Sequence, residues 1–139
     1  MNFIDRYLRK HIAKDHAGAP GEMAAKTINR YSIVVYPLEP YAEWAARIAK
    51  LKPDETLLIL QTSSQASFLL PQTDTPPHHD EGPLKEIYPV IFDYMLHTWE
   101  RDKGRWPKDR SYETFKEWFG IMYSDRLFDV SDEPLRHNP

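Results

Sequence analysis

Apolar and polar positions along this chain follow two rhythms, one helical and one strand-like. Near the start, Phe3, Ile4, Tyr7, Leu8 and Ile12 recur at helical spacing, with Asp5, Arg6, Arg9 and Lys10 on other faces. That predicts an amphipathic helix ending near Gly18, then a short linker, AGAPGEMA. The apolar stripe is expected to dock on the protein's own body or on a partner subunit. A basic helix lying on an anionic membrane is the lesser reading.

The segment YSIVVY, Tyr31 to Tyr36, predicts a strand, since its β-branched run stops at Pro37. Pro40 suits the first turn of a helix. Behind it Tyr41, Trp44, Ala45 and Ile48 share one face, while Glu43 and Arg47 pair on the other. The following stretch, KPDETLLILQTSSQASFLL, has two readings. The favoured one is a hairpin, with strands over residues 56–61 and 65–70 joined at Ser63-Ser64. The other is a short helix opened by Pro53, followed by a single strand, ASFLL. A four-residue apolar run carries no period that decides between them.

A Pro-rich segment without apolar periodicity, PQTDTPPHHDEGP, then leads to another helix. Its regular part is expected to begin near Tyr88, because Pro89 interrupts a helical ladder. Ile91, Phe92, Met95, Leu96 and Trp99 give it a wide apolar face, and Gly104 can end it. Trp106-Pro107 reads as a break. Ser111 suits an N-cap, and Tyr112, Phe115, Trp118 and Phe119 project to one side of a short helix that Gly120 stops. Residues 121–130 read as a closing strand with an irregularity at 124–126.

These elements predict an α+β fold. It has a small mixed or antiparallel sheet of three or four strands, helices on one face, and a βαββαβ, ferredoxin-like order as the leading pattern. The amphipathic helix and linker occupy residues 1–22, and one domain occupies residues 23–139. One sheet face would then need cover from the N-terminal helix or from a second subunit.

The length of 139 residues matches one domain, and four Trp, eight Tyr and six Phe supply large packing units. No apolar run approaches the roughly 20 residues of a membrane span. The absence of cysteine excludes disulfides, thiolate metal sites and Cys nucleophiles, and fits a cytoplasmic protein. Charge is uneven. Residues 1–30 hold six Lys/Arg against three Asp/Glu, and the rest of the chain holds 12 against 18. An acidic body argues against nucleic-acid binding, which needs basic surface to displace counterions.

The order IVVYPLEPYAEW, FLLPQ, WPKDRSYETFKEWF and LFDVSDEPL resembles a family of small, uncharacterised bacterial proteins. That family carries a Trp-Pro-x-x-Arg-Ser/Thr…Phe-x-x-Trp-Phe segment before a closing strand. The likeness covers about residues 31–135 and implies architecture, not an activity, cofactor or substrate. Where related sequences often have His-Ser in the closing strand, this chain has Ser124-Asp125.

Several residues are candidates for chemistry. Trp106 and Arg110, with Tyr41 and Trp44, could line an aromatic pocket in which a guanidinium meets an anion or a planar ligand. The competing and favoured reading makes Trp106 a core plug and Pro107 a stiffener, with Arg110 held by a carboxylate or by helix-end carbonyls. His78, His79 and Asp80 are ligand types for a borderline metal, but adjacent loop residues diverge, and His97, Asp74 or another chain would have to complete the shell. His97 lies one turn from Asp93, a pair that can orient an imidazole, yet no nucleophile accompanies it. No GxSxG surrounds the serines, and the five glycines are too scattered for a phosphate-binding loop. The expected function is a binding module that forms a homo-oligomer, with no cofactor and no catalysis of its own. A small enzyme or ligand-binding domain is the alternative.

Overall fold

A computed structural model describes residues 25–75 and 79–139, so the predicted N-terminal helix and His78 lie outside the described residues. The elements run β1 (Lys26–Thr27), β2 (Arg30–Pro37), α1 (Glu39–Ala49), α2 (Pro53–Ser63), β3 (Ala66–Pro71), α3 (Gly82–His97), a 3-10 turn (Lys103–Arg105), α4 (Tyr112–Trp118), β4 (Phe119–Ser124) and β5 (Phe128–Asp129). The fold is α+β, with two small antiparallel sheets. The chain divides into two compact units. One holds most of the described residues, Asn29–Asp125; the other holds, of the described residues, 25–28 and Arg126–Pro139. In the second unit β1 pairs with β5, and the Ile28 N–H donates to the Leu127 carbonyl at 2.9 Å.

The larger unit is built on a three-stranded sheet in the order β3-β2-β4. Strand β2 alternates strictly: Tyr31, Ile33 and Val35 are buried, while Ser32, Val34 and Tyr36 are half-buried. Register carries the alternation across the sheet. Ala66, Phe68 and Leu70 of β3, and Phe119, Ile121 and Tyr123 of β4, pair with the buried set. The core lies on that face. Tyr41, Trp44 and Ala45 of α1, Leu60 of α2, Leu84, Ile91, Phe92, Met95 and Leu96 of α3, and Phe115 of α4 join it. Phe92 ties the helices to the sheet, its ring centroid 5.4 Å from Phe119 and 5.8 Å from Phe115.

The predicted hairpin does not form. Residues 53–63 make α2, so residues 56–61 are helix and only residues 66–71 are strand. Local chemistry explains this: Pro53 opens the helix, Asp54 and Glu55 sit in its first turn where the dipole favours them, and the Thr56 hydroxyl donates to Lys52 O at 2.8 Å. The apolar run hid the helix because Leu58 and Ile59 face outward, 68% and 54% exposed, so no single stripe shows. The order is therefore β-α-α-β-α-α-β within this unit, without the ferredoxin-like pairing.

Two boundaries also move. Helix α3 starts at Gly82, not near Tyr88, with Pro83 in its first turn and Pro89 inside it. Lys85 and Pro89 both lie on the exposed side, where the carbonyl that Pro89 cannot serve meets water. The closing segment is two strands, not one. It breaks at residues 125–127, so that β4 belongs to one unit and β5 to the other. Helix α1 ends on Lys50 in the left-handed region, φ 56°, a position that glycine usually fills.

Candidate functional site

The aromatic segment behaves as a clasp. Residues 98–111 are tied to α1 by two indole N–H groups that donate to main-chain carbonyls, and a third closes the loop. Trp44 of α1 donates to Arg105 O at 3.0 Å, and Trp99 donates back to Ala45 O of α1 at 3.0 Å. Trp106 donates to Glu100 O at 2.6 Å, closing the loop on itself. Asp102 accepts from Gly104 N at 2.9 Å, and the Glu100 carboxylate pairs with Arg105 at 3.2 Å. Largely buried indoles with satisfied N–H groups make a rigid turn.

The four candidate ligand residues are brought near one another, but as packing partners. Tyr41, Trp44 and Trp106 are 1%, 4% and 7% exposed. The Tyr41 and Trp44 rings lie 5.3 Å apart, and Trp118 completes the cluster. The Tyr41 hydroxyl donates to Met95 O at 2.6 Å, and burial pushes its pKa up to about 12, partly opposed by Thr98. Arg110 is exposed. Its guanidinium lies 5.8 Å over the Trp106 ring and donates to Pro107 O at 2.7 Å. The partner is a loop carbonyl three residues earlier, neither a carboxylate nor a helix-end carbonyl.

Asp109 organises the start of α4. It accepts from Ser111 N at 3.0 Å and from the Thr114 hydroxyl at 2.8 Å, and these bonds, Thr114's first, hold its carboxyl below the usual range. Nearby, Tyr112 is buried beneath Lys116, whose ammonium lies 4.8 Å from the ring centre. Burial pushes Tyr112 up to about 12, with the Glu81 charge adding to the effect.

Of the metal candidates, His79 and Asp80 are described, and they do not form a cluster with other described ligand types. His79 and Asp80 are exposed, and Asp80 accepts from Gly82 N at 2.9 Å as the chain enters α3. Among the described residues no group of three or more His, Asp or Glu could hold a metal ion. His97 and Asp93 both stand on the exposed side of α3.

The sequence reading expected one uncovered sheet face but did not name the residues on it. Arg30, Ser32, Val34 and Tyr36 of β2 share it with Ser67, Leu69 and Pro71 of β3 and with Gly120, Met122 and Ser124 of β4. Leu69 is 49% and Met122 62% exposed. A hollow of about 360 Å3 at one end is lined by Val34, Tyr36, Gln61, Gln65 and Met122, without a charged side chain. A second hollow, about 490 Å3, lies at the other end among Asn29, Arg30, Leu69, Pro71 and Gln72. The signal was present in YSIVVY, where apolar residues fall on both sides of the strand.

Comparison with protein-family models, with curated proteins and with solved structures returned no match. Among the described residues no helix is long and apolar enough to cross a membrane.

Proposed function

We propose that this chain is a binding module that works as a homodimer, with no catalysis of its own. A second copy covers the β2–β4 half of its outer sheet face. One observation carries the reading. Val34, Tyr36 and Met122 form an apolar patch beside Gly120, Gln61 and Gln65, and none of these residues is charged. A two-fold interface sets each residue against its own kind of surface, so like charges there would repel, and an uncharged patch removes that penalty. Apolar sheet faces left in water favour burial against a partner, at about 25 cal/mol per Å2 of apolar surface.

Sedimentation equilibrium tests this with Met122→Glu and Val34→Glu. Each is expected to shift the protein to monomer without unfolding it, since both side chains point away from the core. Removal of residues 1–22 is expected to leave the dimer intact. Loss of the dimer on that truncation, with no effect of Met122→Glu, would assign self-association to the N-terminal segment instead.

A further inference from the structure

We infer that the outer edge of β3 accepts an extended acidic peptide strand from another protein, with Arg30 receiving a carboxylate. The register fixes which main-chain groups are offered. Leu38 N donates to Trp118 O, so the pairs Tyr36–Gly120, Val34–Met122 and Ser32–Ser124 are those that exchange hydrogen bonds across β2 and β4. Tyr31, Ile33 and Val35 therefore aim their main chain at β3, where they meet Leu70, Phe68 and Ala66. The intervening residues, Ser67 and Leu69, turn their N–H and C=O groups away from the sheet. Among the described residues no hydrogen bond reaches those groups.

Natural edge strands are guarded by lysine, inward charge, a bulge or a covering element, because a row of unpaired amides is a template for another strand. β3, ASFLLP, carries no charge, and Pro71 blocks only its last position. Both Ser67 and Leu69 are exposed. The edge thus has the form that takes a strand by β-augmentation.

Charge selects the occupant. The hollow that borders Leu69 and Pro71 contains Arg30, whose guanidinium, among the described residues, donates only to its neighbour's carbonyl, Asn29 O, at 2.8 Å. Proline at 71 places little bulk between Arg30 and the edge. An added strand would place alternate side chains beside Ala66, Phe68 and Leu70 on the inner side, and beside Ser67, Leu69 and the Arg30 hollow on the outer side. The fitting partner alternates apolar residues with Asp or Glu.

The test uses the full chain and four fluorescein-labelled octapeptides. One alternates Val and Asp, one alternates Val and Lys, and two are the Val-Asp peptide N-methylated at alternate amides, one in each register. Anisotropy is expected to show submillimolar binding of the Val-Asp peptide, loss of binding for one N-methyl register only, and no binding of the Val-Lys peptide. Arg30→Glu should weaken Val-Asp binding by about tenfold. Exchange of the Ser67 and Leu69 amides should slow when the peptide is added. Equal binding of both charge types, indifference to N-methyl register, or absence of binding would overturn the proposal. So would Ser67 and Leu69 amides already protected in peptide-free protein in proportion to its concentration, since a second copy would then hold the edge.

Discussion

The ring of Tyr36 fills the space that a side chain on Gly120 would need. A Cβ placed at Gly120 would come within 2.2 Å of the Tyr36 ring's Cζ. The two residues face each other across β2 and β4, so an aromatic on one strand covers a bare backbone on the other. Gly120→Ala is expected to destabilise the protein by about 1–3 kcal/mol by pushing that ring aside. In a Tyr36→Ala background the same substitution should cost almost nothing. A double-mutant cycle by urea unfolding measures the coupling, and additive effects would contradict the contact.

Gly120 also shows what the sequence could carry. A glycine after Trp118-Phe119 reads as a helix stop, and α4 does end there. Its function, however, comes from a tyrosine 84 positions earlier in the chain, a long-range fact that no local pattern contains. Strand β2, the Ser111 cap and the apolar faces of α1 and α3 were legible because each follows from spacing or a cap within a few residues. The cap is real: Ser111 Oγ accepts from Thr114 N at 3.3 Å. α2 was ambiguous because its apolar residues circle the helix. An uncovered sheet face was expected, but its residues were not legible, because Val34 and Tyr36 look like core until β4 fixes which side is inward.

The clasp makes a prediction that separates packing from ligand capture. Trp106→Phe removes the N–H that serves Glu100 O and should cost about 1–3 kcal/mol; Trp106→Ala should cost about 3–5 kcal/mol. Arg110→Ala, at an exposed guanidinium bonded to one carbonyl, should stay within about 1 kcal/mol of the parent. Denaturant midpoints read all three. A large loss for Arg110→Ala with none for Trp106→Phe would reverse the assignment.

Alkaline pH should weaken the fold. The Tyr41 and Tyr112 hydroxyls are held at about 12 against an ordinary value near 10, chiefly by burial. Between those values the unfolded chain has released protons that the folded chain still binds. Stability is therefore full below about pH 10 and falls as pH rises towards 12. Tyr41→Phe should flatten part of that slope, at the cost of the bond to Met95 O. Ultraviolet titration of phenolate absorbance, beside unfolding curves at each pH, checks the direction. Stability rising above pH 10 would contradict it.

Lys50 holds a left-handed backbone at the end of α1, with φ 56°. Lys50→Gly should stabilise the protein by about 1 kcal/mol by removing the steric cost of a Cβ there. Thermal unfolding monitored by circular dichroism would show a raised midpoint. A lowered midpoint would mean that the lysine side chain contributes more than its backbone costs.

Self-association through the uncharged β2–β4 half of the outer sheet face is the claim on which the binding reading rests. Static light scattering of the purified full chain at micromolar concentration weighs it most directly. The account predicts a mass twice the 16.4 kDa of one chain, falling to 16.4 kDa in Met122→Glu. A parent protein that scatters as a 16.4 kDa monomer across the accessible concentration range would contradict it.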